Sequence, residues 1–321
     1  MPVILKNDYR PSIFLRNGHT NTLYSYFFRK RKLIPWCRIR VNTPDQDFYD
    51  VDWLKHTDNH QLVILLHGLE GSSASQYING LAPILYDKGF DIAAINFRSC
   101  SGVSNLQLDM YHSGYTKDLS QFIDTETESY STVVICGFSL GGNVTMKYAG
   151  QSGTNINPKI KAVIGVSVPC DLRPGSARLK RWYNFPYEQN FIGSLMKKMA
   201  HKATLFPDIV NMKNASRVHH LWDFDDYYTA PLHGFEDAED YYRQSNSKQF
   251  LAQISIAALM INAQDDTFLT KECFPYEVAE EKDNFYLMAP KYGGHCGFAQ
   301  IKKGMLWSEI VITDFILDKT R

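Results

Sequence analysis

An excess of charge of either sign is missing from this chain. Its 321 residues carry 34 Lys plus Arg and 34 Asp plus Glu, a net charge of zero at pH 7. Without a basic field there is no electrostatic footprint for nucleic acid, which is not an expected partner. Cysteine is sparse and unpatterned: Cys37, Cys100, Cys136, Cys170, Cys273 and Cys296 show neither C-x-x-C nor zinc-ligand spacing. That excludes a structural zinc module, and scattered free thiols suit a reducing cytosol, so a cytoplasmic location is expected. No apolar run approaches the length of a membrane span, and the apolar part of residues 1–8 is too short for a signal peptide. Internal repeats and low-complexity tracts are absent too. What remains is a globular chain, 44% hydrophobic, long for one domain but reasonable for one α/β sheet carrying an insertion.

Apolar strand candidates recur at 62–66, 91–97, 132–136, 161–168, 255–262 and 284–289, with helical stretches between most of them. Strand alternating with helix argues for a mostly parallel central sheet with helices on both faces. The interval from 172 to 253 breaks this rhythm and is too long for a bare loop. It holds helix-like segments rich in Lys, Met, Tyr and Phe, such as Phe191–Met199, and reads as a helical cap insertion over about 173–253. Its aromatic and methionine positions read mainly as core between cap and sheet. The chain is thus read as a single domain, 1–321, with a polar and aromatic N-terminal extension over about 1–50. The basic cluster Arg29-Lys30-Arg31-Lys32 in that extension reads as solvated surface, or more sharply as a weak contact for anionic lipid.

Residues 137–141, Gly-Phe-Ser-Leu-Gly, follow the run Thr132–Cys136 and precede the helix-like Asn143–Ala149. Strand, sharp turn and helix are what a nucleophile elbow requires, with Ser139 at its tip and Gly137 and Gly141 allowing close approach. Upstream, Leu62–Leu66 ends in His67-Gly68-Leu69-Glu70-Gly71-Ser72; in the α/β-hydrolase plan this loop and the residue after the nucleophile supply the oxyanion hole, here the N–H groups of Leu69 and Leu140. Downstream, a late strand leads to Asp265-Asp266, and a last short strand leads to His295 in a glycine-flanked loop. The order Ser, Asp, His belongs to this plan and to neither the chymotrypsin nor the subtilisin one.

Asp266 is preferred as the acid. Asp265 beside it and Asp171, after an earlier strand, stay open as alternatives. His67 reads as structural, bonding the loop that shapes the oxyanion hole. Cys296 reads as packing, with a second nucleophile as its sharper reading. Phe224-Asp225-Asp226 reads as capping and turn chemistry, since no further acid or histidine stands at metal-ligand spacing.

Longer stretches carry a resemblance. They are Arg16-Asn17-Gly18-His19 with Thr22, Asp50-Val51-Asp52-Trp53, the His67–Ser72 loop, Asn96–Gly102, Tyr111-His112-Ser113-Gly114, Gly137–Asn143, Pro169–Leu172, Phe224-Asp225-Asp226, Ala230–Phe235 and Gly294–Phe298. The chain resembles the YheT-like branch of the α/β-hydrolases, whose eukaryotic relatives include membrane-linked lipid esterases. The resemblance implies a carboxylic-ester hydrolase with Ser139, Asp266 and His295 as its triad. The chain departs from the pattern at Ser99, where glycine is common, and at Thr267, where proline often follows the acid. The expected activity is cleavage of short- to medium-chain acyl esters or monoacylglycerol-like lipids, with no cofactor and no metal. Thioesterase or phospholipid acyl hydrolase activity is an alternative, as is a non-catalytic binding protein on the same scaffold. A small acyl ester or lipid is the expected partner, without a firm membrane anchor. Oligomeric state is left open.

Overall fold

The computed structural model describes residues 8–29, 33–300 and 304–321; residues 1–7 and Lys30, Arg31 and Lys32 of the basic cluster lie outside them. The apolar runs form the body of an eight-stranded sheet. Its strands are β1 (Cys37–Asn42), β2 (Phe48–Leu54), β3 (Gln61–Leu66), β4 (Asp91–Asn96), β5 (Thr132–Phe138), β6 (Ile160–Val166), β7 (Ala257–Ile261) and β8 (Phe285–Met288), in the order β1-β2-β4-β3-β5-β6-β7-β8. From β4 to β8 every neighbouring pair is parallel, while β1–β2 and β2–β4 are antiparallel.

Alternation along β3 shows why this sheet needs helices on both sides. Leu62, Ile64 and Leu66 pack into one apolar cluster; Val63 and Leu65 pack into the other. Strands buried on both faces read as unbroken apolar runs, and each face must be covered. The first face is covered by α3 (Lys117–Glu126) and α4 (Leu140–Ser152). The second is covered by α2 (Gln76–Tyr86) and α11 (Trp307–Lys319). Between them the chain also forms α1 (Gly18–Phe28) and α10 (Tyr276–Glu281). Among the described residues, no helix is long and apolar enough to cross a membrane.

β1 and half of β2 fall within the stretch that the sequence reads as a polar extension. The reason is chemical. β2 is buried at all seven positions yet carries Asp50 and Asp52. Their charges are met from β1, where Arg40 pairs with Asp50 at 2.9 Å and Arg38 with Asp52 at 2.7 Å. Opposite charges at directly facing positions stabilise an antiparallel pair, and here they let a strand without an apolar run join the sheet.

The interval between β6 and β7 is mostly helical. It contains α5 (Leu172–Leu179), α6 (Phe185–Leu205), α7 (Leu221–Phe224), a π-helical turn over Asp225–Thr229, α8 (Ala230–Leu232) and α9 (Ala238–Ser245). Ile192, Leu195, Met199, Leu221 and Phe224 form an apolar cluster of their own, with Met110 and the partly buried Leu69 packed on it.

Candidate active site

The strand β5 ends at Phe138, and the chain turns at Ser139 before α4 begins at Leu140. Ser139 has φ +52°, a left-handed conformation that side chains other than glycine adopt at a cost of about 1–3 kcal/mol. The turn closes only because of the glycines around it. A Cβ on Gly137 would run into the carbonyl of Gly141, and one on Gly141 into the carbonyls of Leu66 and His67. Elbow and neighbouring loop therefore meet backbone to backbone.

Three side chains from separate loops form one hydrogen-bonded series. His295 Nε2 lies 2.8 Å from Ser139 Oγ, and His295 Nδ1 lies 2.9 Å from Asp266 Oδ2. Asp266 is buried, and its second oxygen accepts the N–H of Phe268 at 2.8 Å. The other two carboxylates are engaged elsewhere. Asp265 accepts the Gly294 N–H at 2.9 Å, and burial pushes its pKa up to about 6. Asp171 pairs with Lys248 at 3.1 Å. The ring of Phe268 lies against the imidazole, 4.3 Å between centroids.

The loop that carries His295 is held from α1, a contact that no sequence pattern identified. The His295 N–H donates to Thr22 Oγ1 at 2.8 Å. Asn17 in turn caps α1, its side chain accepting from the N–H groups of His19 and Thr20. This gives the Arg16–His19 and Thr22 stretch a physical task.

Leu69 and Leu140 line the same cavity as Ser139 and His295. Among the described residues neither N–H has a hydrogen-bond acceptor, so both donors are free for a ligand oxygen. His67 is fully buried, its Nδ1 2.7 Å from the Gly68 carbonyl and its Nε2 accepting the Phe97 N–H at 3.1 Å. Burial lowers its pKa to about 4, so it is neutral and holds the loop. Cys296 is buried with its thiol pKa pushed far up by burial, which suits packing and not nucleophilic attack. Ser99 has φ +62°, a conformation that favours glycine.

Glu70 next to Leu69 ties this loop to the helical stretch above. Its backbone has φ +56°. Its carboxylate accepts from Tyr111 OH at 2.7 Å, from Ser194 Oγ and from Lys198 Nζ at 2.7 Å, the last two both on α6. Sequence reasoning missed this network because its ends lie 128 residues apart.

The cavity above Ser139 is walled on one side by Met110, Phe191, Leu195, Met199 and Phe224. Asp225 and Thr229 of the π-helical turn also face it. Asp226 behaves as turn chemistry, accepting the Ala238 N–H at 3.2 Å. Among the described residues no group of histidine, cysteine and acidic side chains could hold a metal ion.

Comparison with known proteins agrees with this architecture. The family model for the α/β hydrolase fold matches residues 61–298. Over 319 residues the chain is 30% identical to YheT of Escherichia coli (strain K12), a protein named as a candidate esterase, covering 96% of this chain and 93% of that one. It is 25% identical over 311 residues to mouse phospholipase ABHD3, covering 92% of this chain and 74% of that protein. Among solved structures, the Pyrococcus furiosus esterase Pf2001 superposes with a TM-score of 0.59 at 16% identity, over 89% of this chain and 91% of that one.

Proposed function

The chain belongs to the α/β-hydrolase family, in its YheT-like branch, and is a carboxylic ester hydrolase; from that premise we propose that it works through Ser139, His295 and Asp266 on uncharged short- to medium-chain acyl esters or monoacylglycerol-like lipids. The observation that carries this reading is the unbroken series from Asp266 through His295 to Ser139. His295 takes the Ser139 proton as Oγ attacks the ester carbonyl. Asp266 keeps the other proton on Nδ1 and stabilises the imidazolium that forms. The N–H groups of Leu69 and Leu140 receive the oxyanion, where one donor is worth about 3 kcal/mol. His295 then returns its proton to the departing alcohol, and a water activated by the same imidazole releases the acyl group.

The helical stretch 173–253 acts as a cap on a single α/β-hydrolase domain, and its apolar wall receives the acyl chain. Each methylene buried there contributes up to about 0.8 kcal/mol. A series of p-nitrophenyl and glyceryl esters tests the substrate class. We expect kcat/KM to rise from acetyl toward medium chains and then fall when the wall is filled. Preference for long-chain phospholipid in vesicles, with little action on soluble esters, would move the reading to a phospholipid acyl hydrolase. Six unpaired cysteines suit a reducing compartment, and we place the enzyme in the cytoplasm.

Glu70 supplies a second test of the same machinery. Its ties to Lys198 and Ser194 hold the backbone that presents the Leu69 N–H. Replacing Glu70 with Gln leaves a neutral acceptor and a partly buried Lys198 ammonium without its counter-charge. We expect Glu70→Gln to lower kcat on a soluble ester by about tenfold or more, within the range for a displaced oxyanion donor, with a smaller change in KM. Steady-state kinetics checks this; an unchanged kcat would detach Glu70 from the oxyanion hole.

A further inference from the structure

We propose that Asp225 is a specificity-determining residue: it receives a hydroxyl group carried by the alcohol portion of the ester. This rests on the serine-esterase reading above and extends it to the part of the substrate that leaves first.

The cavity shared with Ser139 and His295 has two kinds of wall. Met110, Leu195, Met199 and Phe224 make one of them apolar, suited to acyl methylenes. Ser176, Asp225, Thr229 and Tyr242 make the other polar. Asp225 begins the π-helical turn, and such single turns inside α-helices lie frequently at functional sites. Here the turn aligns Thr229 with Asp225, so that Thr229 Oγ1 donates to Asp225 Oδ1 at 2.7 Å. Tyr242 OH donates to Asp225 Oδ2 at 2.7 Å, and its oxygen lies 3.1 Å from Ser176 Oγ.

Those two hydroxyls are the carboxylate's hydrogen-bond partners among the described residues. A carboxylate has about four acceptor sites, so about half of its capacity is unused, and Asp225 lines the cavity. Among the described residues no cation pairs with it. Burial lifts its pKa to about 6. His112 and His233, whose rings lie tilted with centroids 4.7 Å apart, line the same cavity and are kept neutral by their own burial. A partly buried carboxylate with no counter-ion among the described residues costs stability, and a fold needing only a turn cap has the neutral Asn available. The charge makes sense as an acceptor for a ligand donor. An ammonium would have to be stripped of water in full, whereas a hydroxyl enters at much smaller cost. The ligand chemistry is therefore a hydroxylated alcohol, such as a glycol or glycerol monoester.

The test compares kcat/KM for propyl butyrate and 2-hydroxyethyl butyrate, which share acyl group and length and differ in one terminal hydroxyl. The wild-type enzyme is expected to prefer the hydroxylated ester by about tenfold or more, the range for a hydrogen bond to a charged acceptor. In Asp225→Asn that preference should fall by most of this factor. A merely structural Asp225 would lower turnover of both esters together and leave their ratio unchanged. Equal turnover of the two esters by the wild-type enzyme overturns the proposal without any variant, and so does a preference that survives Asp225→Asn. Failure of the underlying serine-esterase reading looks different: neither ester is cleaved and a fluorophosphonate does not label Ser139, and the subsite proposal falls with it.

Discussion

Ser139→Ala is expected to abolish ester hydrolysis, with kcat down by several orders of magnitude and the fold intact. The size follows from what is removed. Ser139 Oγ is the atom 2.8 Å from His295 Nε2; without it there is no acyl-enzyme, and the imidazole has no hydroxyl to activate. In a serine protease, loss of the nucleophile alone costs about 10⁶ in kcat, nearly as much as removing the whole triad. The residual rate then comes from the oxyanion donors and from substrate binding. Folding should survive because the turn depends on the glycines around position 139, not on the hydroxyl. Alanine still bears the cost of φ +52°, so thermal stability should stay close to wild type. Hydrolysis of p-nitrophenyl butyrate, with circular dichroism as the fold control, checks both halves. Near-normal turnover in the folded variant would sink the triad reading.

Much of this was legible in the sequence because its signals are local. The strands from β3 to β8 are buried on both faces and announce themselves as apolar runs, and the elbow is written in five consecutive residues. Ser139, Asp266 and His295 each follow a strand at a turn, so their order could be read without a structure. β1 and β2 could not be found that way, because Phe48–Leu54 alternates with aspartates and Cys37–Asn42 is mostly exposed. A signal was nonetheless present: Arg38 and Arg40 repeat at period two, as do Asp50 and Asp52, with Thr-Pro-Asp between them. Opposite charges at matching spacing across a turn describe a hairpin. The links between distant segments left no such trace. Glu70 meets Lys198, Thr22 meets His295, and Asp225 meets Tyr242 through side chains whose neighbours in sequence give no hint of the partner. The π-helical turn is a one-residue irregularity in a helical stretch, and periodicity over so few residues does not register it.

The acid is where the sequence left a choice, and substitution should separate the three aspartates by orders of magnitude. Asp266→Asn is expected to lower kcat by roughly 10⁴, as the same change does in a serine protease where it favours the wrong tautomer. The amide remains the size of the carboxylate, so Phe268 still finds an acceptor for its N–H. What changes is the partner of His295: an NH₂ group facing Nδ1 drives the ring proton to Nε2, where it can no longer accept from Ser139. The charge that stabilises the imidazolium is lost in the same step. Asp265→Asn should behave differently, because Asp265 serves the Gly294 N–H and an amide oxygen can take over that bond. Its carboxyl has a pKa raised to about 6 by burial, so ionising it penalises the folded state as pH rises from about 4 through 6. Removing that ionisation should hold or raise the melting temperature at pH 8, with only a modest loss of kcat. Asp171→Asn weakens a partly exposed pair with Lys248, and pairs of that kind contribute about 0–1 kcal/mol. Kinetics and thermal melts of the three variants at pH 8 therefore decide the assignment. If Asp171→Asn were the inactive protein and Asp266→Asn the active one, the acid would have to reach His295 from the loop after β6. That loop would then have to give up the Lys248 contact that it makes in the structure.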